Sequence, residues 1–276
     1  MQDSANNIAT ASPILELKKA SVHFNEGKTK GKLAVDNVSF TVNAGDIVGI
    51  VGTSGCGKTT IARTIAGLQP LSSGEIRFQG KSTQNLSRQE KLNYKRSVQL
   101  VFQDTLGALN PRMTIEAALD EVLRVHRKHE LRTHQERMAE LTQLIEKVEL
   151  PISILKSYPH EISGGQRQRI GIARALAVKP TLLIADEPVS ALDVSVQAQI
   201  IKMLSRLIVE EKMTMLFIAH DLAVVRCLCN KVVVMNNGRI EEAGACEDVY
   251  TNPRSEFTKT LLAAIPDINT NSRDRI

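Results

Sequence analysis

A chain of 276 residues is long enough for about two domains of ordinary size or one elaborate domain. With no tryptophan and only 3% aromatic residues it lacks the ring-rich surface of a nucleic-acid platform, and 35 Lys and Arg against 30 Asp and Glu leave a modest basic excess that a solvated surface or an anionic ligand explains equally well. Its 42% hydrophobic and 24% charged residues are ordinary globular proportions, and no apolar run approaches the roughly 18–20 residues that a membrane-spanning helix requires.

Residues 1–13, MQDSANNIATASP, lack a basic start followed by an apolar stretch and read as a disordered tail, with no secretion signal. From Ile14 to Val42 short strands are expected, since Val38, Phe40 and Val42 alternate with Ser39 and Thr41. Asn43 to Asp46 is a turn. Ile47 to Val51, IVGIV, is a continuous apolar run of the kind buried on both faces of a parallel sheet. Thr59 to Leu68 follows as a helix, and SSGEIRFQG returns to strand. Between residues 112 and 149 the period changes: Ile115, Ala118, Leu119, Val122 and Leu123 recur at helical spacing behind a Thr114 cap. Thr133 to Glu136 has the capping-box pattern ahead of Met138, Leu141, Ile145 and Val148. Pro111 and Pro151 bound this helical insertion. The α/β alternation then resumes, with LLIA as strand, Ser195 to Glu211 as helix, MTMLFIA as strand and Leu222 to Leu228 as helix. VVVMNNGRIEEAG reads as a hairpin turning at Asn237 and Gly238.

Cys56, Cys227, Cys229 and Cys246 are too scattered for a disulfide framework, and no pair has zinc-site spacing, so reduced thiols are expected. Cys227 and Cys229 read as two small apolar side chains on a helix, with a metal pair as the alternative. His126, His129 and His134 lie on strongly charged helical sequence and read as a solvated face.

Three stretches carry chemistry. GTSGCGKT, Gly52 to Thr59, matches the G-x-x-x-x-G-K-[ST] phosphate loop in its required context, after a buried strand and before a helix. Gly52, Thr53, Ser54, Gly55, Cys56 and Gly57 offer backbone N–H groups to the β-phosphate, Lys58 reaches the β and γ oxygens, and Thr59, followed by Thr60, offers its hydroxyl to magnesium. Cys56, at a helix N-terminus beside Lys58, is expected to have a depressed pKa and to be modified by thiol reagents unless ATP protects it. LLIADE, Leu182 to Glu187, ends an apolar strand in two carboxylates at the sheet edge where α/β ligands bind. Asp186 is the candidate magnesium partner and Glu187 the candidate for polarising an attacking water. His220 and Gln103 each follow a strand in the same manner. In the third stretch, SYPHEISGGQRQRIGIARAL, Ser163 and Gln166 satisfy a Ser-x-x-Gln capping pattern while Gly164 and Gly165 leave the first N–H groups open to a phosphate. One chain already has a complete phosphate loop, so the second phosphate-reading helix start points to a nucleotide bound by another subunit.

With these elements in this order the sequence resembles the ATP-binding cassette (ABC) transporter ATPases, from about Ile14 to Pro266. GTSGCGKT looks like the Walker A loop, Gln103 the Q-loop, ISGGQ the signature motif, LLIADE the Walker B strand, Ser190 to Asp193 (SALD) the D-loop and His220 the switch histidine; Ile162 stands where the family usually has leucine. The resemblance implies an α/β fold: a P-loop NTPase (RecA-like) core with an N-terminal antiparallel β subdomain and an inserted helical subdomain. It places the ATPase domain at 14–244, the helical part at about 104–168 and a C-terminal extension at 245–276. It implies ATP and Mg2+ as cofactors, with Phe24 stacked on adenine, Gln103 joining Thr59 and Asp186 around the metal, and His220 sensing the γ-phosphate. Ser163 and Gly165 would contact the γ-phosphate held by a second ATPase subunit in a head-to-tail dimer.

The FQD-x4-LNPR segment, Phe102 to Arg112, and the tail EDVYTNPRSEFTKTLLAAIP are similar to ATPases of oligopeptide, dipeptide and nickel importers. By that likeness the second ATPase is a different, paralogous chain, and the other partners are two membrane-spanning permease subunits and an external solute-binding protein, with no nucleic acid. The place of work is the cytoplasmic face of the inner membrane, as a peripheral subunit. Only Cys246 falls near the tail, so no iron–sulfur cluster is expected. The alternatives are a soluble ABC ATPase acting on nucleic acid or ribosomes, which usually carries two cassettes or a long coiled coil, and the ATPase of an exporter, from which the FQD-x4-LNPR segment and the tail separate this chain.

Overall fold

The computed structural model describes residues 13–26, 29–103, 107, 109–190 and 192–264. The expectations for the tail at residues 1–12, for Asp104 and Ala108 in the FQD-x4-LNPR segment, for Ala191 in SALD and for residues 265–276 fall outside these. In chain order the strands are β1 (Leu15–Glu26), β2 (Thr29–Val42), β3 (Ile47–Gly52), β4 (Ser73–Phe78), β5 (Lys81–Ser82), β6 (Val98–Val101), β7 (Leu182–Asp186), β8 (Thr214–Ile218), β9 (Lys231–Asn236) and β10 (Arg239–Ala245). The helices are α1 (Lys58–Ile65), α2 (Arg88–Ser97), α3 (Ile115–His126), α4 (His134–Lys147), α5 (Gly164–Leu176), α6 (Val194–Glu210), α7 (Leu222–Leu228), α8 (Cys246–Thr251) and α9 (Glu256–Ala263).

Two sheets result: an antiparallel one in the order β2-β1-β4-β5 and a six-stranded one in the order β10-β9-β3-β8-β7-β6. All neighbours in the second sheet are parallel except β9 and β10. Its central strands explain their continuous apolar runs. Leu182, Ile184, Leu216 and Ile218 pack toward the antiparallel sheet, whereas Leu183, Ala185, Met215 and Phe217 pack into the helical layer. Both faces are therefore dry, and each large side chain withdrawn from water contributes about 1.5–3 kcal/mol. Among the described residues no helix is long and apolar enough to cross a membrane.

In place of short strands, residues 15–42 form two long bulged ones. Lys19 and Asn37 take positive φ angles of 46° and 53°, Ser39 Oγ accepts from the Lys19 N–H at 2.8 Å and Ser21 Oγ accepts from the Asn37 N–H at 2.9 Å. These bulges interrupt the period-2 pattern without ending the strands. Helix α1 begins at Lys58 and stops at Ile65, short of Leu68, because Gly67 turns with φ 71°. The polar helix α2 escapes the periodicity test, since Tyr94 is its one buried side chain, yet Ser87 and Glu90 close a capping box at its start. Thr114 and Thr133 cap α3 and α4 as the sequence predicts, and Asn237 and Gly238, with φ of 46° and 80°, make the hairpin turn. Cys227 and Cys229 do not share a helix: α7 ends at Leu228, leaving Cys227 exposed on it and Cys229 buried beyond it. His129 and His134 are exposed and His126 is half-buried. Among the described residues no group of three His, Cys, Asp or Glu side chains could hold a metal ion.

Candidate active site

The loop after β3 curls back over the start of α1. Gly57 sits at the helix N-cap with φ 106°, and a Cβ there would come within 2.4 Å of the Ala34 carbonyl oxygen, so only glycine closes this turn. Helix α1 has no side-chain cap, which leaves its first N–H groups to serve an anion. Lys58, only 5% exposed, lies inside the loop, its ammonium donating to the Gly52 carbonyl at 2.8 Å and the Thr53 carbonyl at 2.9 Å. Strand β2 and the β9–β10 turn brace the loop from outside: the Gly238 N–H donates to the Cys56 carbonyl at 3.0 Å, and the Asp36 N–H donates to the Gly238 carbonyl at 2.8 Å. Sequence reasoning missed this brace, because no local pattern announces a contact between elements so far apart in the chain.

Cys56 reverses its expectation. Burial pushes its thiol up from the ordinary value, outweighing the lowering effect of the Lys58 charge. The side chain packs into the core behind the loop while Thr53, Ser54 and Gly55 form the exposed mouth. A helix N-terminus depresses a thiol only where the sulfur faces it, and here the lysine ammonium stands 3.9 Å away and is committed to carbonyls.

Strands β6, β7 and β8 are adjacent and parallel, so their carboxyl ends converge beside the loop. Asp186 ends β7 at 3% exposure and accepts a hydrogen bond of 3.1 Å from the Thr59 hydroxyl. Burial raises its carboxyl above the usual range, opposed by the Thr59 hydrogen bond. Glu187 follows in a left-handed backbone conformation, φ 47°, held by its N–H bond to the Ile218 carbonyl at 3.0 Å. For a non-glycine residue this costs about 1–3 kcal/mol and marks an over-determined position. Its carboxylate accepts from the Gln103 amide at 3.0 Å and lies 3.9 Å from His220 Nδ1. Gln103 also donates to Ser190 Oγ at 3.2 Å, and Ser190 in turn donates to the Glu187 carbonyl at 3.2 Å. Ser190 was read only as part of SALD; its closing of the Gln103–Glu187 pair has no signal in sequence.

The structure thus brings Lys58, Thr59, Asp186, Glu187, Gln103 and His220 to one sheet edge. The signature residues stand apart. Ser163 caps α5 through its Oγ, which accepts from the Gln166 N–H at 3.2 Å, while Gln166 Oε1 accepts from the Ser163 N–H at 2.9 Å. Gly165 lies against α6, where a Cβ would meet Val196 Cγ1 at 2.6 Å. Ser163 is exposed and Gly164, Gly165 and Gln166 are half-buried, and among the described residues the side-chain hydrogen bonds of this turn do not reach the phosphate loop. Phe24 on β1 is 39% exposed and pairs with Lys32 across the sheet, close along the chain to Val22, which pairs with Val35 beside Gly57.

The donor set suits magnesium and nucleotide. One hydroxyl, one carboxylate and one amide oxygen are hard ligands of the kind that share Mg2+ with phosphates and water, and the glycine-lined cradle around Lys58 matches a phosphate chain. At this edge stand a buried carboxylate, a partly exposed carboxylate and an imidazole, group types that metal-assisted attack of water on phosphorus employs.

The sequence model described as ABC transporter matches residues 35–190. The oligopeptide transport ATP-binding protein OppF of Streptococcus mutans is 44% identical over 92% of this chain and 82% of its own length. A putative peptide import ATP-binding protein of Brucella ovis is 44% identical over 96% of this chain and 82% of its own. Among solved structures, the dimeric post-hydrolysis state of the ATP-binding cassette MJ0796, bound to ADP and Pi, superposes with a TM-score of 0.76 at 28% identity, covering 84% of this chain and 98% of that one. CbiO1 of Clostridium perfringens, part of the transporter complex cbiONQ, gives 0.74 at 26% identity over 87% and 91% of the two chains.

Proposed function

This chain belongs to the ABC transporter family of ATP-hydrolysing enzymes, and from that premise we propose that it is the energy-coupling subunit of a peptide importer. The observation that carries the hydrolytic part is the meeting of Gln103, Glu187 and His220 beside Lys58, Thr59 and Asp186. ATP lies along the Gly52–Thr60 loop, its adenine stacked on Phe24 and its β- and γ-phosphates on Lys58 and the α1 N-terminus. Thr59 and Gln103, with Asp186 hydrogen-bonded behind Thr59, would hold Mg2+, which when bound would supply positive charge against the phosphates. Glu187 orients the attacking water and takes up its proton while the bond to the γ-phosphorus forms and ADP leaves. His220, beside Glu187, contacts the γ-phosphate.

Ser163, Gly164, Gly165 and Gln166 serve the nucleotide of a second ATPase subunit in a head-to-tail dimer, which accounts for a glycine-lined helix start whose side-chain hydrogen bonds do not reach this chain's own loop. The partner is a paralogous chain, and the pair works at the cytoplasmic face of the inner membrane beneath two permease subunits supplied by an external binding protein. Residues 14–244 form the ATPase domain, with the helical part at about 104–168, and 245–276 the extension. Support for coupling through the helical part comes from a groove of about 360 Å3 between β6 and the helices, lined by Gln99, Leu109, Met113, Val122, Val125 and Arg174. Its lining includes Gln99 on β6, four residues before Gln103, so a permease segment seated there abuts the strand that leads to Gln103 and, through its hydrogen bond, to Glu187.

Affinity recovery of the tagged chain from detergent-solubilised membranes tests this assignment. Two membrane subunits and a second ATPase should co-purify. Recovery of the chain alone, or with ribosomes, contradicts it.

A further inference from the structure

We infer that Tyr250, in the C-terminal extension, is a positioning residue for His220 in ATP hydrolysis and acts through helix α7; the inference rests on the reading of His220 as a member of the hydrolytic site. The His220 side chain is 63% exposed and its nearest carboxylate oxygen is 3.9 Å away, so its place is set chiefly by the backbone on either side. On the amino side, the Ala219 N–H donates to the Ile50 carbonyl at 3.2 Å and ties the chain to β3. On the carboxyl side the chain enters α7 at once, with Asp221 Oδ1 accepting from the Ala223 N–H at 2.8 Å as the helix cap.

A seven-residue helix has little stability of its own and takes its position from its neighbours. One is β3: Val225 packs so closely on Gly49 that a Cβ there would come within 2.4 Å of it. Another is α8. The Tyr250 hydroxyl donates to the Leu222 carbonyl at 2.5 Å, two residues after His220, while the Arg226 guanidinium lies 5.7 Å from the Tyr250 ring centroid and Cys246 Sγ lies 3.9 Å from the Val225 carbonyl. Burial raises the Tyr250 phenol far above its ordinary value, so it remains a donor across the working pH range. Tyr250 thus grips the first turn of α7 from the segment that follows the hairpin, and a displacement of α8 carries the His220 backbone with it.

The test is a double-mutant cycle in the purified membrane assembly, reading kcat and the KM for ATP. Tyr250→Phe keeps the ring and removes the hydroxyl; kcat should fall about three- to tenfold, as expected for one lost hydrogen bond, with KM unchanged. In a His220→Ala background the same substitution should have no further effect, which a general loss of stability would not reproduce. Arg226→Gln, which removes the cation over the ring, should lower kcat in the same dependent way and stands in if Tyr250→Phe fails to fold. Equal losses in both backgrounds, or an unchanged kcat in the otherwise wild-type chain, overturn the inference while leaving His220 in the site. Full turnover by His220→Ala alone removes the premise and the inference together.

Discussion

The side-chain amide of Gln103 donates a 3.0 Å hydrogen bond to the carboxylate of Glu187 across 84 positions of sequence. The contact exists because β6 and β7 are parallel neighbours, Glu187 follows directly on β7 and Gln103 lies two residues past the end of β6, which brings both to one sheet edge. A movement of the segment after β6 therefore acts on the group proposed to orient the attacking water. Glu187 is held rigidly enough for that to matter, given its left-handed backbone and its link to Ile218.

Glu187→Gln keeps the shape and the hydrogen-bonding capacity of the side chain but removes its basicity. It should retain ATP binding, lose about 10²- to 10⁴-fold in turnover and accumulate as a stable dimer in ATP, as seen by single-turnover assay and size-exclusion chromatography. Wild-type turnover would remove Glu187 from its role.

Asp186 is buried and its carboxyl titrates above the usual range, so its charge costs folding energy. Asp186→Asn should melt at the wild-type temperature or above it, while Mg2+ ceases to tighten nucleotide binding. A large drop in melting temperature would mean that the carboxylate is structural.

Cys56 should resist alkylation at neutral pH while exposed Cys227 reacts, as peptide mapping after iodoacetamide would show. The thiols also set the direction of the alkaline response. Folding raises Cys56 above the ordinary 9.0 and Cys246 to about 11, both chiefly through burial. Below pH 9 both states keep these protons and stability does not depend on them; above it the unfolded chain ionises first, so stability declines as pH rises. The urea midpoint should be lower at pH 10 than at pH 8.

Ser163→Arg places a charged, bulky side chain at the α5 cap. The chain should still bind ATP in its own loop, since no side-chain hydrogen bond of Ser163 reaches that loop, whereas turnover of the assembled dimer collapses. Loss of the cap also costs about 0.5–2 kcal/mol in stability, measurable by denaturant melt. Loss of nucleotide binding by the isolated mutant chain would contradict the two-subunit reading.

Much of this was legible in sequence. The Gly52–Thr59 loop, the LLIADE strand, the Thr114, Thr133 and Ser163 caps and the Asn237–Gly238 turn each declare themselves within a few residues, because glycine, cap and period-2 patterns are local physics. What was hidden is set by tertiary contact. The Gly238 brace on the Cys56 carbonyl, the Ser190 link to Gln103 and the Tyr250 grip on Leu222 join residues that no window contains. The Cys56 error has the same origin: a charge two residues along the chain is visible in sequence, whereas the burial that outweighs it is not.

The central claim, that this chain converts ATP hydrolysis into peptide import, is tested most directly by the ATPase rate of the purified assembly with its external binding protein, empty or loaded with peptide or with nickel. The account predicts stimulation by the peptide-loaded form, abolished by Glu187→Gln. Turnover indifferent to both cargoes, or stimulated by nickel alone, would contradict it.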